Sequence, residues 1–100
     1  MSWKEKAKCI SKAFQKLRLK KNGGFWAKQR HTCCNTCGWA EAPNMDNIVF
    51  YHIQDWDYFK EYKELYLSYK GNTDKIVKVF EEEGLNVNWN GDTNTKIIIY

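Results

Sequence analysis

Trp3, Ala7, Ile10, Phe14 and Leu17 recur at alternating steps of four and three, a spacing that stacks side chains along one stripe of an α-helix. Lys8, Lys12, Lys16 and Lys20 fall on the opposite side. Ser2 and Glu5 have capping-box spacing at the start, and Asn22-Gly23-Gly24 offers residues that tolerate the left-handed backbone at a helix end. A helix is therefore predicted over residues 2–20. Ile48-Val49-Phe50-Tyr51-His52-Ile53 is a continuous apolar, β-branched and aromatic run, the pattern of a strand covered on both faces and interior to a sheet. Leu65, Leu67 and Tyr69 alternate with Tyr66 and Ser68, as in a half-buried strand over residues 64–69. Ile76, Val77, Val79 and Phe80 form the apolar side of a second helix over 73–83, with Asn72 or Thr73 as its cap and Gly84 as its stop. Leu85, Val87 and Trp89 alternate in a third strand over 85–89. Asn90-Gly91-Asp92 then supplies hairpin-turn residues before a fourth over 95–100.

Three stretches are less regular. Residues 25–31 fit a strand or an extended approach to the cysteines that follow. Residues 40–47, which hold the only proline, fit a loop, and 55–63 fit a single helical turn. A right-handed crossover should set 64–69 parallel to 85–89 in one sheet. The predicted architecture is α+β: a mixed sheet of about four strands with two packed helices and a cysteine-rich turn. With 100 residues, the chain is sized for one core, so residues 1–100 are expected to form a single domain.

Composition adjusts this picture in two ways. Aromatic residues are 16% of the chain and supply large buried areas, which offsets the polar content behind a mean hydropathy of −0.72. Charge is unevenly placed. Residues 1–30 carry a net +9 and the remainder a net −5, so attraction to an anionic partner, or to the protein's own acidic part, is expected of the first segment. No run is long and apolar enough for a membrane span, and the first residues lack a secretory pattern, so a cytoplasmic location without membrane association is expected.

Three of the four cysteines fall within five positions, in Cys33-Cys34-Asn35-Thr36-Cys37-Gly38. Neighbours such as Cys33 and Cys34 can bridge only with strain, which argues against a secreted disulfide scaffold. Cys34 and Cys37 have the spacing of a zinc knuckle, with a glycine that would let backbone N–H groups approach the sulfurs; this is half of a tetrahedral site. Cys33, His31, His52, Asp55 and Asp57 are candidates for the other half. The alternative is that the cysteines are reduced core residues. A redox role is disfavoured because Cys34-x-x-Cys37 is not expected to open a helix after a first strand. His52 and Asp55, after the central strand, could serve an enzyme as base and orienting carboxylate. No nucleophile motif, phosphate loop or paired-carboxylate arrangement accompanies them. The lysine face of the first helix admits nucleic acid as a partner through Lys8, Lys12 and Lys16, with Trp3, Trp26 and Trp39 as stacking candidates, although Trp3 also lies on the apolar stripe.

Several segments together are similar to a family of small, mostly bacterial domains of unknown function. They are Ala13-Phe14 with Leu17, Cys33-Cys34-Asn35-Thr36-Cys37-Gly38 with Ala40-Glu41, Tyr51-His52-Ile53-Gln54-Asp55, Leu65-Tyr66-Leu67-Ser68-Tyr69, and Gly84-Leu85-Asn86-Val87-Asn88-Trp89-Asn90-Gly91. The resemblance spans nearly the whole chain and implies one domain, with no activity attached. His31 lies outside the matched pattern, which favours Cys33, Cys34, Cys37 and His52 as the metal ligands. The expectation from sequence is thus a small binding or interaction domain, with a protein partner and a structural zinc at the cysteine turn. Its alternatives are a nucleic-acid-associated protein using the basic helix and an enzyme using the His52 and Asp55 cluster.

Overall fold

The structure is a computed structural model and describes residues 2–33, 35–92 and 95–100. Its first helix, α1 (Trp3–Leu17), begins where predicted: the Ser2 hydroxyl accepts the Glu5 backbone N–H at 3.3 Å and donates to the Glu5 carboxylate. It stops three residues short of Lys20. The Asn22 side-chain amide donates to the Lys16 carbonyl at 2.9 Å, capping the last turn, and a short 3₁₀ turn over Lys20–Asn22 follows.

The sheet has five strands: β1 (Trp26–Lys28), β2 (Ile48–Phe50), β3 (Leu65–Lys70), β4 (Val87–Asn88) and β5 (Ile97–Ile99), ordered β1-β2-β3-β5-β4. Five replaces the expected four because the undecided 25–31 segment contributes β1, parallel to β2 with Lys28 opposite Phe50. The remaining pairs are antiparallel, with Val49 opposite Tyr69, Leu67 opposite Ile97 and Val87 opposite Ile99. β3 and β4 therefore run parallel, as expected, but β5 lies between them. β2 is interior to the sheet. The ladder beyond β4 continues through Asn86 and Tyr100, which exchange both backbone hydrogen bonds at 2.9 and 3.0 Å.

Three further helices complete the chain: α2 (Asn35–Glu41), α3 (Ile53–Tyr62) and α4 (Thr73–Glu82). α4 matches the prediction and is capped by Asn72, whose side chain accepts from the Lys75 N–H at 3.1 Å. α2 replaces the turn expected at the cysteines and the start of the expected loop over 40–47. α3 replaces both the end of the 48–53 strand and the single turn expected over 55–63. The cause is His52. Its Nδ1 accepts the Asp55 N–H at 3.1 Å while Asp55 Oδ2 accepts the His52 N–H at 3.3 Å, a reciprocal cap that turns the chain from strand into helix and leaves Ile53 exposed.

α1 and α4 pack on one face of the sheet over a core that includes Ile10, Phe14, Leu17, Val49, Tyr51, Leu65, Leu67, Ile76, Phe80, Ile97 and Ile99. The Phe14 ring meets Tyr51 and Phe80 edge-on at 5.4 and 5.8 Å. Full burial of each such side chain favours the folded state by about 1.5–3 kcal/mol. Ile48 and Phe50 are also buried but stand outside this cluster, on the other face of the pleat. There Phe50 is covered by α2: Trp39 lies edge-on at 5.0 Å, and a Cβ on Gly38 would overlap the Phe50 ring. Gly38 is thus needed for the helix to seat on the sheet.

Candidate functional site

Of the regions singled out in sequence, the cysteine turn and the basic helix face take distinct places in the fold. The segment leaving β1 runs beside the end of β2: the His31 N–H donates to the Tyr51 carbonyl at 3.1 Å, and the Thr32 carbonyl accepts the Ile53 N–H at 2.8 Å. Cys33 follows directly, and α2 opens two residues later. Cys37 therefore falls in the first turn of a helix that follows a first strand, contrary to expectation. Cys33 and Cys37 are both exposed, with their sulfurs 4.0 Å apart. Cys34 lies outside the described residues. Gly38, expected to admit N–H groups to the sulfurs, serves packing against Phe50 instead.

His52 is turned to its own helix. Besides the bond to Nδ1, its Nε2 lies 3.1 Å from Asp55 Oδ2, so the neutral ring carries its proton on Nε2 facing the carboxylate. Burial pushes the imidazole below its ordinary pKa, Asp55 acts in the opposite sense, and Lys96, whose Nζ is 4.0 Å from Asp55 Oδ2, adds to the lowering. Nδ1 holds the Asp55 N–H and Nε2 stands at ion-pair distance from the Asp55 carboxylate, which accounts for this histidine as a helix cap. Asp57 faces Lys60 at 3.4 Å. His31 sits edge-on to Trp26 and Phe50, its Nε2 at ion-pair distance, 3.0 Å, from Glu41 Oε2 without the alignment of a hydrogen bond. Among the described residues, no group of three His, Cys, Asp or Glu side chains is arranged to hold a metal ion.

The basic face of α1 divides. Lys16 leans onto α4, its Nζ 2.9 Å from Glu83 Oε2, and that hydrogen bond raises its pKa. Lys8 and Lys12 instead line an open groove of about 420 Å³ with Ala7, Ser11, Arg30 and Trp56. The Arg30 guanidinium lies 4.9 Å from the Trp56 ring centre, within the range of a cation–π contact. Trp56 is itself stacked on Tyr51 and Phe59, at 5.7 and 5.1 Å, with Trp3 edge-on. Behind the groove, Gln29 Oε1 accepts from both the Ser11 and Tyr51 hydroxyls, at 3.2 and 3.1 Å. Burial pushes the Tyr51 phenol far above its ordinary pKa, so it remains a donor. Arg30 holds a left-handed backbone at φ 50°, a conformation that is costly for a residue with a Cβ and that sits where its guanidinium reaches Trp56.

The model of a domain family, described as a domain of unknown function (DUF6891), matches residues 1–100. The chain belongs to the DUF6891 family. No curated protein and no solved structure matches it. Among the described residues of this DUF6891 domain, no helix is long and apolar enough to cross a membrane.

Sequence reasoning named Lys8 and Lys12 but missed the two groups that complete the groove. Arg30 was visible only as one base among ten, and Trp56 fell in a segment without clear periodicity. Of the tryptophans offered for stacking, Trp26 and Trp39 pack around Phe50, and Trp3 packs against Trp56. No local pattern marks a contact between residues so far apart in the chain.

Proposed function

We propose that this DUF6891 domain is a nucleic-acid-associated binding module that holds the phosphate backbone of a single strand in the α1 groove. One observation carries the reading: Lys8, Lys12 and Arg30 border the same groove, with the guanidinium over the Trp56 ring, 4.9 Å from its centre. Arginine presented this way is a planar, permanently charged donor with little freedom left to lose on binding a phosphate. Lys8 and Lys12 are one helical turn apart, about 6 Å along the axis, which suits successive charges along a strand. Arg30 occupies the Trp56 face, so the groove recognises phosphates rather than bases, and the binding is independent of sequence.

The test is fluorescence anisotropy with a labelled oligonucleotide over a range of salt. Three phosphate contacts to a single strand give a slope of log affinity against log salt near −2, at about 0.7 per contact. Lys8→Gln with Lys12→Gln should flatten that slope, and Lys16→Gln should leave it unchanged. Absence of binding at low salt overturns the reading, as does equal binding by the double variant. Capture by anionic vesicles but not by the oligonucleotide would place the anion on a membrane instead.

A further inference from the structure

We propose that Cys33 and Cys37 form a thiol–disulfide exchange site whose co-reactant is a low-molecular-weight disulfide such as oxidised glutathione. The sulfurs are 4.0 Å apart and both residues are exposed, so an incoming disulfide can reach either one. Their backbone is held on both sides. Thr32, just before Cys33, is bonded through its carbonyl to Ile53, and Gly38, just after Cys37, is wedged on Phe50. Rotation about the side-chain bonds has to close the sulfur separation to the about 2.05 Å of a disulfide.

The exchange balances in two displacements. The thiolate of one cysteine attacks a sulfur of oxidised glutathione, forming a protein–glutathione mixed disulfide and expelling one glutathione thiolate, which takes up a proton. The second cysteine, as its thiolate, then attacks the protein sulfur of that mixed disulfide. The Cys33–Cys37 bond forms and the second glutathione leaves. The protein has lost two protons and two electrons, and both pairs have gone to the two reduced glutathione molecules. Fixed proximity makes the second step intramolecular, so the mixed disulfide is short-lived. This site stands apart from the α1 groove and does not depend on the nucleic-acid reading.

The experiment incubates the Cys34→Ser protein with oxidised glutathione, quenches with an alkylating reagent, and weighs the tryptic peptide spanning residues 31–60, which then holds only Cys33 and Cys37. The expected peptide is lighter by two hydrogens and carries neither glutathione nor alkyl groups. Changing Cys33 or Cys37 to Ser in the same background should trap one glutathione on the remaining cysteine. Two retained glutathiones in the Cys34→Ser protein, or two alkyl groups, overturn the proposal. Should Cys34→Ser fail to fold, the natural sequence gives the same answer by fragmentation of that peptide. The alkyl group on Cys34 supports the proposal, and an alkyl group on Cys33 or Cys37 contradicts it.

Discussion

The Arg30 guanidinium rests on the Trp56 ring, 4.9 Å from its centre, while the Arg30 backbone is held at φ 50°. The two facts pull in opposite directions energetically. A left-handed backbone costs a residue with a Cβ about 1–2 kcal/mol, and an exposed cation–π contact returns about 0.5–1 kcal/mol. Arg30→Gly should therefore unfold in urea within about 1 kcal/mol of the parent. If the groove binds phosphates, the same variant should lose oligonucleotide affinity severalfold at low salt and flatten the salt slope. Arg30→Lys should also weaken binding, since an ammonium lacks the planar fork of donors that a guanidinium offers a phosphate.

Gly38 sets a helix-propensity gain against a steric cost. Within a helix, Gly→Ala is ordinarily stabilising by about 1 kcal/mol. Here the added methyl group meets the Phe50 ring, and overpacking of a filled core costs about 1–3 kcal/mol. The steric cost should prevail, so Gly38→Ala should lower the urea midpoint. Phe50→Leu introduced into the Gly38→Ala chain should recover part of the loss, a coupling that a double-mutant cycle would measure.

His52 makes stability depend on pH in a determinable direction. Its folded pKa lies below the ordinary value of 6.5, because burial outweighs the attraction of Asp55. As pH falls through about 6.5, the unfolded chain takes up a proton that the folded chain still refuses. Stability is therefore retained above that pH, lost progressively below it, and levels off once the folded imidazole also protonates. A melting-temperature series from pH 8 to 5 should show this decline. His52→Asn, which keeps a capping side chain, should remove that component. His52→Ala should cost about 0.5–2 kcal/mol at neutral pH through loss of the cap.

The Lys16–Glu83 pair predicts a separation between stability and binding. Lys16→Gln breaks an ion pair between α1 and the end of α4 and should lower the melting temperature slightly, more at low salt than at high. Lys8→Gln and Lys12→Gln, in the exposed groove, should leave the melting temperature unchanged. A drop of equal size in all three variants would show that the lysines act as one charged face.

How much of this was legible in the chain depended on the range of each interaction. The stripe from Trp3 to Leu17, the alternation of Leu65, Leu67 and Tyr69, and the cap at Asn72 are local signals, and the corresponding helices and strand appear close to their predicted positions. Ile48 to Ile53 looked like one strand because hydrophobicity is continuous across it. The cap between His52 and Asp55 breaks it, and a histidine is an uncommon capping residue. β1 is three residues long and takes its register from a partner more than twenty positions away, so its own composition could not reveal it. In the groove, Lys8 and Lys12 followed from helical spacing, whereas Arg30 joins them only because folding lays the segment after β1 beside α1 and Trp56. At the cysteines, the spacing of Cys34 and Cys37 drew attention, and among the described residues the close sulfur pair is Cys33 with Cys37, at the first turn of a helix that the segment's mixed composition did not announce.

The placement of β5 between β3 and β4 has a consequence for synthesis on the ribosome. β5 is the last of the five strands to be made, yet it separates two that precede it. Until Ile97–Ile99 has left the exit tunnel, β3 presents a bare row of backbone donors and acceptors along one side, and β4 has no partner at all. The half-built sheet is an adhesive edge for the whole interval, open to the wrong neighbour on a crowded polysome. The nascent chain thus gains its last protection only when its final turn closes, with the Trp89 indole donating to the Tyr69 hydroxyl at 2.7 Å and that hydroxyl donating to the Thr95 carbonyl at 2.6 Å.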